Sequence, residues 1–240
     1  MHDLDVLMLT NTVNDSLYKM VSKAVDTLRK SDGLEDVNII LLESNQESNY
    51  TFDVNHYIKP DFKFNYNAYL NIGSEFATGK YTCISNNDIE FSKTWWTKMK
   101  AAFEKYNLDV ASPKSTMRLQ PHNNQNDYLR HMYAPESVVK IELKTYSFAG
   151  WCFTFTQEVR DWLFPLDENF SHYHQDLDIM MRLHEKNVTH GFVPASKMLH
   201  FGNVSSNLLH DGKIENMRTT RMYFDKKWAG HDMSFMELNK

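Results

Sequence analysis

The sequence predicts an α/β fold, one domain in which a mostly parallel central sheet is flanked by helices. Three observations predict it. Short apolar, β-branched runs alternate along the chain with stretches whose apolar residues recur at helical spacing, which is the pattern of βαβ units. The length of 240 residues falls within the range of about 200–250 residues that α/β domains reach as one unit. No Pro/Gly/Ser-rich linker divides the chain.

Residues 4–10 form a short apolar run of the kind found in buried strands, and Asn14, Asp15 or Ser16 then supplies a helix cap. Leu17, Met20, Val21, Ala24 and Leu28 fall on one face of the helix that follows, and Gly33 stops it. Residues 37–42 are a second strand, so the chain opens as β-α-β with parallel strands and a right-handed crossover. The turn after the first strand holds no glycine, which excludes both the dinucleotide fingerprint and the P-loop.

Residues 65–77 predict a helix closed by Gly79, and residues 81–85 a strand that runs into Asn86-Asn87-Asp88-Ile89-Glu90. Residues 92–106 predict a helix capped by Ser92, with Trp95, Trp96, Met99 and Phe103 on its apolar side. Residues 108–111 read as the next strand, and 118–136 as an irregular polar loop. An apolar pattern resumes over 146–156, residues 176–185 predict a helix with Ile179, Met180 and Leu183 buried, and residues 191–200 a strand ending in His200.

Charge narrows the function classes. The chain carries 26 Lys+Arg against 31 Asp+Glu, a formal net of −5, which disfavours a broad electrostatic grip on nucleic acid. Two cysteines, Cys83 and Cys152, make neither a disulfide scaffold nor a four-cysteine zinc site, and both sit in apolar runs. The N-terminus lacks a basic signal region, and no apolar run approaches the ~18–20 residues of a membrane helix. A reducing, cytoplasmic setting is expected.

Three clusters carry chemistry. The carboxyl end of a parallel strand is where α/β sheets place ligands, and Asn86 to Glu90 offers hard oxygen donors there, suited to Mg2+ or Mn2+ with substrate phosphates completing the shell. A polar strand-to-loop exit gives the same residues. His172-Tyr173-His174-Gln175-Asp176-Leu177-Asp178 precedes a helix, where acids also act as simple caps. Its His-x-His spacing would put two zinc donors on one face of a strand, without a third ligand nearby. His200, alone at a strand end, gains interest only from its company.

Together these clusters resemble the inverting glycosyltransferases of family 2, whose GT-A fold has a Rossmann-like sheet. The resemblance spans nearly the whole chain. Asn71-Ile72-Gly73, Ala77-Thr78-Gly79-Lys80-Tyr81 and Asn86-Asn87-Asp88 are similar to the family's N-x-G, A-x-G-x-Y and DXD-type run, with Asn in place of the first Asp. Gly150-Trp151-Cys152, the segment 164–170, Gln175-Asp176-Leu177-Asp178 and the strand ending at His200 follow in the order of the family's acceptor half.

The resemblance implies a single GT-A domain, with a nucleotide-sugar half at 1–90, an acceptor half at 91–206 and a helical tail at 207–240. It implies Asp176 as catalytic base, and Asp88 and His200 as ligands of Mn2+ or Mg2+. Thr10, Asn11, Glu43, Asn71, Asn87, Gly150 and Trp151 are implied in donor binding, Trp151 as a residue that narrows the sugar pocket or stacks on a sugar face. Gln175 replaces the Glu usual before the base. The donor is expected to be a nucleoside-diphosphate sugar, UDP-linked, and the acceptor a hydroxyl of a glycan or glycan precursor, ahead of a hydroxylated DNA base. Arg218, Arg221, Lys226 and Lys227 in the tail read as a solvated face, a lid over the diphosphate or a phosphate-binding patch. Other classes compatible with the residues are a nucleotidyltransferase and a catalytically silent sugar-binding or scaffold protein.

Overall fold

β1 (Leu4–Thr10), α1 (Asp15–Arg29) and β2 (Val37–Glu43) form the opening β-α-β unit, with β1 and β2 parallel. Asn14 caps α1 by accepting from Leu17 N at 3.0 Å. There follow β3 (His56–Ile58), α2 (Tyr66–Ser74), β4 (Tyr81–Ser85), β5 (Ile89–Phe91), α3 (Trp95–Tyr106) and β6 (Val110–Ser115). β7 (Cys152–Thr156), α4 (Gln157–Leu163), α5 (Gln175–Glu185), β8 (His190–His200) and α6 (Lys213–Lys227) complete the described elements. The structure, a computed structural model, describes residues 2–116, 143, 148–202 and 213–236. The loop expected at 118–136 lies outside the described residues.

The strands make one sheet in the order β3-β2-β1-β4-β7-β6-β8-β5. β7 runs antiparallel to both its neighbours and β5 antiparallel to β8, while the other pairings are parallel. Helices cover both faces, which is why β2 and β4 are buried at every residue and read as continuous apolar runs rather than alternating ones. Side chains divide by strand parity: Leu4, Val6 and Met8 pack with Val21 and Leu28 of α1 and Trp96 and Met99 of α3. Leu7 and Ile40 face the other way, toward Tyr69 of α2, Ile179 and Leu183 of α5 and Phe224 of α6. Cys83 and Cys152 are buried free thiols whose sulfurs lie 3.6 Å apart across β4 and β7.

Several boundaries differ from the sequence expectation. α3 starts at Trp95 rather than at Ser92, because residues 92–95 form a turn in which Ser92 O accepts from Trp95 N at 3.1 Å. α2 ends at Ser74, so Gly79 is not its stop. Gly79 instead approaches buried Asp5: its N–H donates to Oδ2 at 2.6 Å, and a Cβ there would lie 2.9 Å from the same oxygen. β6 starts later than expected and runs past Pro113, where a register shift against β8 accommodates the missing donor. Among the described residues no helix is long and apolar enough to cross a membrane.

Candidate functional site

Sheet topology brings the carboxyl ends of β1, β2, β4 and β8 to one edge, and the start of antiparallel β7 to the same place. A cleft of about 580 Å³ opens there. On one side, Thr10 and Asn11 follow β1, and Asn87 reaches across from the end of β4 to donate to Thr10 Oγ1 at 3.2 Å. Behind them Glu43, fully buried at the end of β2, accepts from Thr12 N at 3.0 Å and Asn45 N at 2.8 Å. Asn45 returns a bond to Thr12 O at 2.9 Å. The Glu43 carboxylate therefore ties together the two loops that frame this side of the cleft, and it does not itself line the cleft.

Asp88 and His200 meet because β5 pairs with β8 in a register that sets Ile89 opposite His200. Asp88 O accepts from Phe201 N at 2.9 Å, and the Asp88 Oδ1 to His200 Nε2 distance is 3.3 Å. Both side chains are buried at the cleft floor. The Trp151 ring lies flat on the His200 imidazole, 4.7 Å between centroids and 15° between planes, and Trp151 O accepts from Asn86 N at 2.8 Å. This fixes the imidazole plane from one side while leaving Nε2 toward the carboxylate.

Asp176 sits in the first turn of α5, whose entry residue His174 has a left-handed backbone with φ 63° and offers no side-chain cap. His174 Nδ1 lies 3.0 Å from Thr220 Oγ1 of α6, so the segment is a turn anchored to the C-terminal helix and not a strand. The two-histidine zinc reading fails on that geometry. Asp176 Oδ1 accepts from Leu177 N at 3.0 Å. Across the cleft is Gly150, where a Cβ would come within 2.8 Å of Asp176 Oδ2. Only a glycine lets the carboxylate close down there. Burial pushes the Asp176 carboxyl up from its ordinary value, making it a stronger base when ionised. It likewise pushes the nearby Tyr66 phenol up, with the Asp176 charge adding to the effect.

Besides Glu43, one more expected residue stands outside the cleft lining. Asn71 turns its amide away from the cleft, accepting from Leu166 N at 2.7 Å and donating to Leu166 O at 3.0 Å and Glu168 Oε1 at 2.9 Å. It latches α2 to the 164–168 turn. In the tail, Arg221 pairs with Asp225 at 2.9 Å, and Lys227 bridges Asp167 and Asp178, each at 2.7 Å. Neither reaches over the cleft.

As a cation site the cleft floor offers two protein donors, and among the described residues no group of three His, Cys, Asp or Glu converges. One carboxylate and one imidazole suit Mn2+ or Mg2+ when substrate phosphates and water supply the remaining positions, as these ions commonly require. The donor set therefore fits a cation that arrives with a diphosphate.

Residues 11–164 match the family model described as glycosyl transferase family 2. The chain belongs to glycosyl transferase family 2. Its α/β sheet is the GT-A fold of that family, and the match runs from the loop after β1 through β7 and α4 to the turn before α5. The fold is similar to the crystal structure of S. aureus TarS, at 9% identity and a TM-score of 0.63, covering 97% of this chain and 44% of that one. It is also similar to S. aureus TarS 1-349 alone (TM-score 0.56) and in complex with UDP (TM-score 0.57), both at 12% identity, covering 75% of this chain and 54% of those. The chain spans about half the length of these structural relatives. No curated protein matches its sequence.

Other cleft residues escaped the sequence reading. Ser44, Phe64 and Tyr66 line the cleft, and Thr12, Asn45 and Thr220 support it. Phe64 and Tyr66 flank an ordinary helix start and carry no local signal. Tyr173 was visible only as part of the segment leading to Asp176.

Proposed function

We propose that the protein transfers a sugar from a UDP-linked nucleoside-diphosphate sugar to an acceptor hydroxyl with inversion, using Asp176 as general base. The observation that carries this reading is the convergence of the Asp176 carboxylate and the Asp88–His200 pair on one cleft at the carboxyl edge of the sheet. Thr10, Asn11 and Asn87 hold the nucleotide, with Glu43 fixing the loops behind them. Gly150 and Trp151 bound the sugar. The UDP complex of a structural relative supports UDP as the nucleotide. In domain terms, residues 1–90 supply the donor loops and 91–206 supply Asp176, Trp151 and His200.

Asp176 accepts the acceptor's hydroxyl proton as that oxygen forms its bond to the anomeric carbon and the bond from that carbon to the diphosphate oxygen breaks. Attack from the face opposite the leaving group gives inversion. Burial raises the basicity of Asp176 toward this task. Asp88 and His200 would hold Mn2+ or Mg2+, which when bound supplies positive charge to the departing diphosphate. A cation is also called for by charge balance: the described cleft lining includes Asp88 and Asp176 and no Lys or Arg. The acceptor class is a glycan or glycan precursor, ahead of a hydroxylated DNA base.

The test is turnover of a panel of UDP-sugars with Mn2+ by the wild type and by Asp176→Asn. General-base help is worth about 10²–10⁴-fold, and a loss of that order is expected with the fold intact. Near-normal turnover by the variant would remove Asp176 from the chemistry.

A further inference from the structure

The cleft wall beside Asp176 is aromatic. Phe64, Tyr66, His172 and Tyr173 all line it. The His172 ring meets Phe64 edge-on at 5.7 Å and Tyr173 at 4.6 Å, and lies 6.4 Å from the Tyr66 ring. Tyr66 N donates to Ser171 O at 2.6 Å, which docks the start of α2 on the segment that leads into Asp176. All four side chains are half-buried, so each keeps ring surface toward the opening.

The described cleft lining includes Asp88 and Asp176 and no Lys or Arg. Nearby cations are engaged elsewhere: Lys227 with Asp167 and Asp178, Arg221 with Asp225, and Arg182 with the carbonyls of Trp162 and Pro165. Among the described lining residues no guanidinium or ammonium is placed to bind the phosphates of a polyphosphate or nucleic-acid chain.

Two polar atoms also want partners. Tyr173 Oη and Gln175 Oε1 are shielded from solvent and have no hydrogen-bond partner among the described residues. Buried polar atoms are normally paired. A sugar ring presents a flat C–H face with hydroxyls around its rim, which is complementary to aromatic rings edged by a phenol and an amide oxygen.

We propose that Phe64, Tyr66, His172 and Tyr173, with Gln175, form an acceptor subsite for an uncharged sugar ring, whose hydroxyl is thereby presented to Asp176. This rests on the glycosyltransferase reading above. It selects neutral saccharides over anionic polymers and over DNA.

The experiment measures UDP release by the full chain with Mn2+ and a panel of UDP-sugars, in three arms. The first has no acceptor. The second adds neutral oligosaccharides (maltotriose, cellotriose, chitotriose), and the third adds anionic chains (heparin, a polyol-phosphate polymer, hydroxymethylated duplex DNA). Neutral saccharides are expected to accelerate UDP release and to appear glycosylated by mass spectrometry. Tyr173→Ala is expected to raise the acceptor KM by roughly three- to tenfold, the range of one lost aromatic contact, and to shift partitioning from saccharide toward water. Tyr173→Phe, which keeps the ring and loses the phenol oxygen, should recover part of that loss, its KM falling between those of the wild type and Tyr173→Ala. Transfer to anionic chains in preference to neutral ones, or an acceptor KM unmoved by Tyr173→Ala, overturns the subsite. UDP release that neutral saccharides do not accelerate overturns it while leaving the transferase reading standing. No UDP release in any arm overturns both.

Discussion

Asp176 and Gly150 depend on each other, since the carboxylate packs where any side chain at 150 would stand. That packing has a thermodynamic sign. Burial raises the folded-state pKa of Asp176, so the folded protein binds its proton more tightly than the unfolded chain does. Stability from this group is greatest below the unfolded value and falls as pH rises through the folded one. Above the folded value the ionised carboxylate is a net cost. Asp176→Asn keeps an oxygen for Leu177 N and removes the charge, so its Tm at pH 7 is expected to lie above that of the wild type, with the gap closing toward pH 4. A lower Tm in the variant would contradict the burial argument. Residue roles were unevenly legible at this scale. The helical pattern left Asp176 open as a simple cap, and family-like runs singled out both it and Asp88. Asn71 and Glu43 were read as donor contacts, yet their side chains spend their bonds on Leu166 and Glu168, and on Thr12 and Asn45. Amide and carboxylate chemistry serves a loop backbone as well as a ligand, and the letter alone does not tell which.

α5 carries Asp176, the proposed base, and α6 holds α5 in place. Asp178, one turn into the helix and fully enclosed, accepts from Trp228 Nε1 at 2.8 Å and pairs with Lys227 at 2.7 Å. Lys227 also pairs with Asp167, which Tyr223 Oη bonds at 3.0 Å. Burial pushes Asp178 up despite these partners. Asp167 also feels burial pushing it up, but hydrogen bonds from Lys227 and Asn169 bring it to about 2. The Asp167 contribution is present above its unfolded value and lost as pH falls from about 3.8 toward about 2. Removing the cation that two carboxylates share leaves buried charge unpaired. Because Lys227 remains partly accessible, Lys227→Met is expected to cost about 3 kcal/mol, the lower end for breaking a buried pair, as read by urea unfolding. A loss below about 1 kcal/mol would class the bridge with ordinary surface pairs. The basic tail could be read from sequence as lid, patch or solvated face; pairing across a long sequence separation settled Lys227 as a brace.

For the whole molecule, ligand binding and stability share one edge of the sheet. The carboxyl ends of β1, β2, β4 and β8 meet there, and the charges on the floor and wall are carboxylates among the described residues. UDP with Mn2+ is expected to stabilise the folded chain much more than UDP with EDTA. At a concentration near 100 Kd the gain is about 2.7 kcal/mol, a Tm rise of about 5–10 °C for a chain of this size. An equal rise with EDTA would show that the diphosphate is held without a cation.

Periodicity and strand composition determined the α/β class, the opening β-α-β unit and most helices, because a buried parallel strand and an amphipathic helix each impose a local pattern on the residues that form them. Ordered short motifs determined the family and singled out Asp88, Asp176 and His200. Only tertiary structure decided that β5 pairs with β8, so that Asp88 meets His200, and that Trp151 stacks on that imidazole. It also decided that Phe64 and Tyr66 share a wall with His172 and Tyr173, and that α6 braces the helix that carries Asp176. Those contacts join residues far apart in the chain, where no local period records a partner; sheet order and helix docking bring them together.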